Sequence, residues 1–322
     1  MAYKIRVGVL RGGPSNEYEV SLKSGASVLQ NLPEKYHPRD VFISRDGAWH
    51  MDGIVHTPER VLRKIDVVFN AMHGEYGEDG QVQKILEHFQ IPFTGSGSLG
   101  SAIGMNKILS KRIFKAHGIP TPYYLTLNQD HYKPKLIRHL FRNAPHPSVI
   151  KPIGAGSSVG VSVVKKFEDI EPAIMLAFKY SPKIMIEQYV NGREATCGVV
   201  DDFRGQTNYS LLPIEIRPAK GSNFFDYNAK YGGGSQEICP GNFSPEESKK
   251  IQELTTLAHR ALGLRHYSRS DFIITPKGKV YILETNTLPG LTNESLLPKS
   301  LDAVGCKLPQ FLDHLITLAL SA

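Results

Sequence analysis

The chain has 322 residues, 41% of them hydrophobic, which is enough for about two domains of roughly 150 residues, or three smaller lobes sharing cores, without a stabilising staple. Its three cysteines, Cys197, Cys239 and Cys306, form no CxxC pair and lack a histidine at zinc-ligand spacing; no stretch approaches the roughly 20 apolar residues of a membrane span or resembles a signal peptide. Free thiols, no membrane and a cytoplasmic location are therefore expected, while the net charge of +7 is spread along the chain without a nucleic-acid motif and fits an anionic small substrate or an ordinary solvated surface equally well.

A β-branched run at 5–10 reads as the first strand, followed by a Gly-Gly turn and a helical pattern over 20–32. Apolar runs at 41–44 and 67–70 continue the strand series, and 81–89 reads as the next helix. This is a βαβ pattern with a parallel sheet, whose ligands gather beyond the carboxyl ends of the strands. The loops RGGPSNEYE and NAMHGEYGEDG are thus where chemistry is expected. A helix is predicted from a Ser98 cap through 117, stopped by Gly118-Ile119-Pro120. Residues 148–166 then read as strand, Gly/Ser loop and strand; a helix and two further strands complete a second lobe on an antiparallel sheet.

The segment 218–243 reads as a long loop, a length that usually signals a functional element such as a lid. Ser244-Pro245-Glu246-Glu247 combines a cap, proline at the first helical position and a capping-box glutamate, and starts a helix to about residue 262. Strands around 271–275 and 279–284 and two C-terminal helices follow.

Two constellations carry chemistry. GAGSSVG (154–160) lets backbone N–H groups surround an anion, with Ser157 and Ser158 as hydroxyl donors and Lys151 just before it as a point charge. A strand pattern follows it, so it is not a Walker loop, and by itself it could be a plain turn. RSDFIITPKGKVYILETN places Asp271 on one strand, Glu284 and Asn286 at the end of its hairpin partner, and Arg269 alongside. Three oxygen ligands there suit Mg²⁺ with nucleotide phosphates; a salt-bridged hairpin end is the plainer reading.

Taken in order, RGGPSNEYEVSLKSG, MHGEYGEDG, TGSGSLGSAIGMNK, IKPIGAGSSVGVS, IEQYVNGRE, FFDYNAKY, SRSDFII and ETNTLPGLTNESL resemble the ATP-grasp superfamily and, within it, the D-alanine–D-alanine ligase family, over nearly the whole chain. The resemblance implies an α/β and α+β chain: a Rossmann-like parallel-sheet lobe that binds substrate (1–105), then an ATP-grasp fold of two α+β lobes (106–190 and 191–322), the last bearing the metal and substrate sites. It implies ligation of two D-alanines through an acyl phosphate for peptidoglycan precursors, with ATP and two Mg²⁺ ions (Mn²⁺ as a substitute), and a homodimer as the default assembly.

Residue by residue, it implies that Lys107 and Lys151 contact phosphates, that Glu187 and Glu194 hold the adenine and ribose, and that Gly156, Ser157 and Ser158 form the lid loop. Asp271, Glu284 and Asn286 match the metal ligands. Glu19 would orient the first ammonium, linked through Ser157 and Tyr231; His73 lies near the substrates; Arg269 and the Gly290 N–H face the oxyanion; Lys230 and Ser295 grip the second carboxylate. Plainer alternatives stand beside these: a helix-start carboxylate for Glu19, a surface histidine for His73, and loop decoration for Lys230 and Tyr231. The sequence departs from many members at Gly154-Ala155 and at Thr285. The rival activities are a ligase for another acid and amine pair, such as D-alanine with D-serine or D-lactate, and a nucleotide-binding module without catalysis. The Lys230-Tyr231 pair argues against the lactate form.

Overall fold

The computed structural model describes residues 4–154, 159–217 and 236–321. Three sheets organise them. The first has β1 (Ile5–Gly12) at its heart, with β2 (Tyr36–Ile43) and β5 (Val67–Asn70) parallel on either side. An antiparallel hairpin, β3 (Trp49–Met51) and β4 (Ile54–His56), extends the β2 edge, so the sheet is mixed rather than purely parallel. The hairpin turns at Asp52-Gly53, both at positive φ, which is the dipeptide that a two-residue turn of this hand favours. Helices α1 (Tyr18–Asn31), α2 (Pro58–Leu62) and α3 (Gln81–His88) complete this part.

The predicted helix over 98–117 is two helices, α4 (Ser98–Met105) and α5 (Lys107–Ala116). Asn106 breaks it: its backbone is extended, and its side chain accepts from the N–H groups of Ile108 and Leu109, capping α5. Ser98 is the first helical residue rather than the cap, which falls on Gly97; the Ser98 hydroxyl donates to Glu87 at 2.6 Å.

The second sheet is antiparallel in the order β6 (Tyr124–Asn128), β9 (Lys183–Gln188), β7 (Ser148–Pro152), β8 (Ser162–Val164), packed on α6 (Ile137–Asn143) and α7 (Ile170–Phe178). The third runs β13 (Gln236–Ile238), β12 (Ile214–Arg217), β10 (Arg193–Phe203), β14 (Tyr267–Ile274), β15 (Val280–Asn286), with β11 (Gln206–Ser210) also paired to β10. Residues 236–238 were expected within the long loop and instead form its edge strand. Helix α8 (Pro245–Ala261) begins with the anticipated capping box between Ser244 and Glu247, and α9 (Leu296–Ala303) and α10 (Leu308–Leu320) close the chain. The three cysteines are free thiols. Among the described residues, no helix is long and apolar enough to cross a membrane.

Candidate active site

The chain leaves β1 toward β2 and returns on its other side at β5, so the carboxyl ends of β1 and β5 meet at a topological switch point. The turn after β1 needs Gly12 at positive φ, and a Cβ there would collide with the carbonyl oxygen of Ile43. Past this turn the chain brings Glu17 and Glu19 to a cleft enclosing about 300 Å³, and the loop after β5 brings His73 and Glu78. Glu19 lies in the first turn of α1, exposed, with Arg45 Nη2 at 3.2 Å. An exposed pair of this kind is weak and easily exchanged for a ligand's ammonium.

His73 is buried, with Nε2 at 2.7 Å from the Ser24 hydroxyl and Nδ1 at 3.5 Å from Glu78 Oε1. Burial pulls its pKa down, but the hydrogen bond and charge of Glu78, with Glu17 beyond, outweigh burial and leave it raised. The other Glu78 oxygen accepts the Gly74 N–H at 3.0 Å. Ser24, His73 and Glu78 therefore form one buried chain in the cleft wall, and His73 is not a surface histidine.

The opposite wall follows from strand periodicity. Residues two apart share a face, and β14 pairs with β15 so that Arg269 faces Asn286 and Asp271 faces Glu284. All four side chains thus share one face, while Ser270 and Thr285 share the other, where their hydroxyls are buried 2.8 Å apart. That bond satisfies the hydroxyl of Thr285, the residue at which the sequence departs from many family members. Arg269 donates to both oxygens of Asp271, at 3.1 and 3.2 Å, and the Thr196 hydroxyl donates to Asp271 at 2.6 Å. Lys107, at the start of α5, places Nζ 3.3 Å from Glu284 Oε2.

Beyond β15, the Gly290 loop closes the cleft floor. A Cβ on Gly290 would stand 2.8 Å from the Ser295 hydroxyl, so a larger residue here would have to push that hydroxyl aside. Ser295 is the cap residue of α9, and its Oγ lies 2.8 Å from the Thr292 hydroxyl and accepts the Thr292 N–H at 3.2 Å. Ser27 of α1 donates to the Leu291 carbonyl at 2.8 Å, tying this loop to the first sheet's helix.

Glu19, His73, Lys107 and Arg269 line the cleft, as do Glu284, Asn286, Gly290 and Ser295. Lys151 and Glu187 are buried on adjacent strands β7 and β9 and ion-paired at 2.6 Å; Glu194 is half-buried on β10. Gly156, Ser157, Ser158, Lys230 and Tyr231 lie outside the described residues. Sequence reasoning missed Glu17, Ser24 and Glu78. Glu78 stands inside the MHGEYGEDG string, but nothing in the spacing says that its carboxylate turns back onto His73.

The family model for the C-terminus of D-ala D-ala ligase matches residues 113–317, and the N-terminal model matches 6–59 and 53–96. The D-alanine--D-alanine ligase of Geobacter sulfurreducens is 42% identical over 297 residues, covering 91% of this chain and 87% of that protein. The crystal structure of D-alanyl-alanine synthetase A from Vibrio cholerae superposes with a TM-score of 0.86 at 30% identity, covering all of both chains. That of VanG D-Ala:D-Ser ligase from Enterococcus faecalis gives 0.84, also at 30% identity, over 98% of this chain and 100% of that one.

Proposed function

The chain belongs to the D-alanine–D-alanine ligase family, and we propose that its cleft joins two D-alanines to D-alanyl-D-alanine for peptidoglycan synthesis, converting ATP to ADP and phosphate. The observation that carries this is that one cavity has two chemically different walls. One presents the carboxylates of Glu17 and Glu19 with the Ser24–His73–Glu78 chain, suited to an amino acid; the other presents Lys107, Arg269, Glu284 and Asn286, suited to phosphate and metal.

A carboxylate resists an attacking amine, so it must first gain a leaving group, which the γ-phosphoryl of ATP provides. Such transfer needs alignment and charge neutralisation more than covalent help. Lys107 and Lys151 would meet the phosphates, Glu187 and Glu194 the adenosine, with Gly156, Ser157 and Ser158 covering them. Glu19 would orient the first ammonium beside His73. Attack by the second amine develops an oxyanion that Arg269 and the Gly290 N–H would stabilise, each such donor being worth ~3 kcal/mol. Ser295, Lys230 and Tyr231 would hold the second amino acid.

The donor set of Asp271, Glu284 and Asn286 is all oxygen on one strand-pair face, which fits a hard divalent cation. These residues would hold Mg²⁺, two ions being proposed, for which Mn²⁺ could substitute. The metal supplies neutralisation of the phosphate charge when bound. Domain boundaries near 105/106 and 190/191, a homodimer and a cytoplasmic location complete the reading; the three sheets each fall within one proposed segment. The likeness to a D-Ala:D-Ser ligase favours D-serine as the competing second substrate. ADP release measured across D-alanine, D-serine, D-lactate and L-amino acids tests both: turnover with D-alanine alone is expected, and none with D-alanine overturns the proposal.

A further inference from the structure

Lys111 is fully buried, yet it is a lysine and no role above uses it. It lies one helical turn after Lys107 on α5, on the same face. Its Nζ is 2.5 Å from Glu187 Oε1 and donates to the Thr121 hydroxyl at 2.6 Å. The other Glu187 oxygen holds Lys151 Nζ at 2.6 Å. Thr121 in turn donates to the carbonyl of Ile282, two residues before Glu284 on β15. One buried carboxylate thus joins two lysines from different elements, and the same helix sends Lys107 to Glu284.

Three lysines face two glutamates in this array, leaving a net positive charge where a polyphosphate would bring negative charge. A buried ammonium with no counter-charge would shed its proton. Burial, helped by the charge of Lys151, outweighs the opposing Glu187 carboxylate and leaves Lys111 lowered to about 8. Glu187 is itself raised by burial, but the two lysines outweigh this and keep it below the ordinary carboxylate range. Each Glu187 oxygen faces one ammonium, so moving either lysine would leave a buried carboxylate oxygen without its counter-charge.

We infer that Lys111 is a positioning residue of the nucleotide site, fixing the Glu187 carboxylate and, through it, the Lys151 ammonium that meets phosphate. This rests on the reading that ATP binds against Lys151 and Glu187. A merely structural role for Lys111 predicts lost stability without a selective loss of ATP.

Steady-state ADP release is measured with ATP and D-alanine varied separately, for wild type, Lys111→Met, Lys111→Gln, Glu187→Gln and Lys111→Met/Glu187→Gln, with thermal melts alongside. Lys111→Met should raise KM for ATP roughly tenfold with KM for D-alanine within about twofold, the loss of one charge-assisted contact being of that order. The double variant should be no worse for ATP than Glu187→Gln alone, because Lys111 acts through that carboxylate. If Lys111→Met is not recovered folded, Lys111→Gln, which keeps N–H donors for Glu187 and Thr121, carries the same comparison. An unchanged KM for ATP with only a lowered Tm, or fold-changes that multiply in the double variant, overturns the inference. Failure of the ligase reading shows separately, as wild type releasing no ADP with D-alanine; binding of AMP-PNP to the same proteins then decides the role of Lys111.

Discussion

Glu284 ties β15 to the start of α5 in one wall of the cleft. It shares a strand-pair face with Asp271 and lies 3.3 Å from Lys107. Glu284→Gln keeps the size of the side chain and removes the charge, so the protein should stay folded while ADP release falls by at least about a hundredfold, the scale of losing one preorganised charge contact at a reacting phosphoryl. Near wild-type release from a folded variant would remove Glu284 from the metal site. On the facing wall, Glu19→Gln should raise KM for D-alanine far more than KM for ATP, because the proposed partner of the substrate ammonium loses its charge while the proposed phosphate contacts are untouched. Equal rises in both would mean that Glu19 serves the fold, through Arg45 or the start of α1.

Several elements converge on Asp201 of β10. His259 of α8 lies 3.2 Å from its carboxylate, Asn208 donates to it at 2.6 Å and the His266 N–H at 2.5 Å, while His314 of α10 donates to its backbone carbonyl at 2.7 Å. His266 accepts the Gly95 N–H through Nδ1 at 3.1 Å, a bond that a protonated ring cannot make. Burial and the neighbouring Arg265 push its pKa to about 4. The unfolded chain, with histidine near 6.5, then binds more protons than the folded one between pH 6.5 and 4, so stability falls as pH falls through that window. The loss contributed by His266 is on the order of 3 kcal/mol at the acid end. His266→Asn, which suits the residue's φ of +67°, should flatten the slope of Tm against pH there; an unchanged slope places the titration elsewhere. What was legible at this scale was local. The Ser244 capping box announces α8, and alternation on β14 and β15 puts Asp271 and Glu284 together, because both are short-range rules. The break at Asn106 was overlooked, although Gly104 stands two residues before it and asparagine is a favoured cap. The β3–β4 hairpin was overlooked although Asp52-Gly53 signals it. Lys111 became visible only in three dimensions, because its partners Glu187 and Thr121 come from other parts of the chain, and Glu78 because only the path of its own loop turns its carboxylate back onto His73.

The first and third sheets are not separate bodies, because the C-terminal helix joins them. Val7, Val9 and Phe69 from the first sheet share a core with Val200, Leu211 and Tyr267 from the third, and Phe311, Leu312 and Leu315 of α10 pack into that same core. Phe311 is fully buried and meets Tyr267 edge-on, ring centroids 5.5 Å apart. Polar contacts reinforce the position of α10: Tyr36 donates to Asp313 at 2.5 Å, and Lys35 pairs with Asp313 at 2.6 Å. The second sheet has its own core around Ile150, Ile174 and Ile186. Phe311→Ala removes a large ring from a site where three elements meet, so it should destabilise the protein by about 3–5 kcal/mol. The effect should fall on the first and third sheets together, lowering one shared thermal transition by several degrees. No residue of α10 lines the described cleft, so KM for ATP and for D-alanine should stay within about twofold in the folded enzyme at low temperature. Calorimetry and steady-state kinetics on the same preparation check both halves. Separate transitions for the two sheets, only one of them shifted, would show that α10 belongs to one lobe and does not couple the two walls of the cleft.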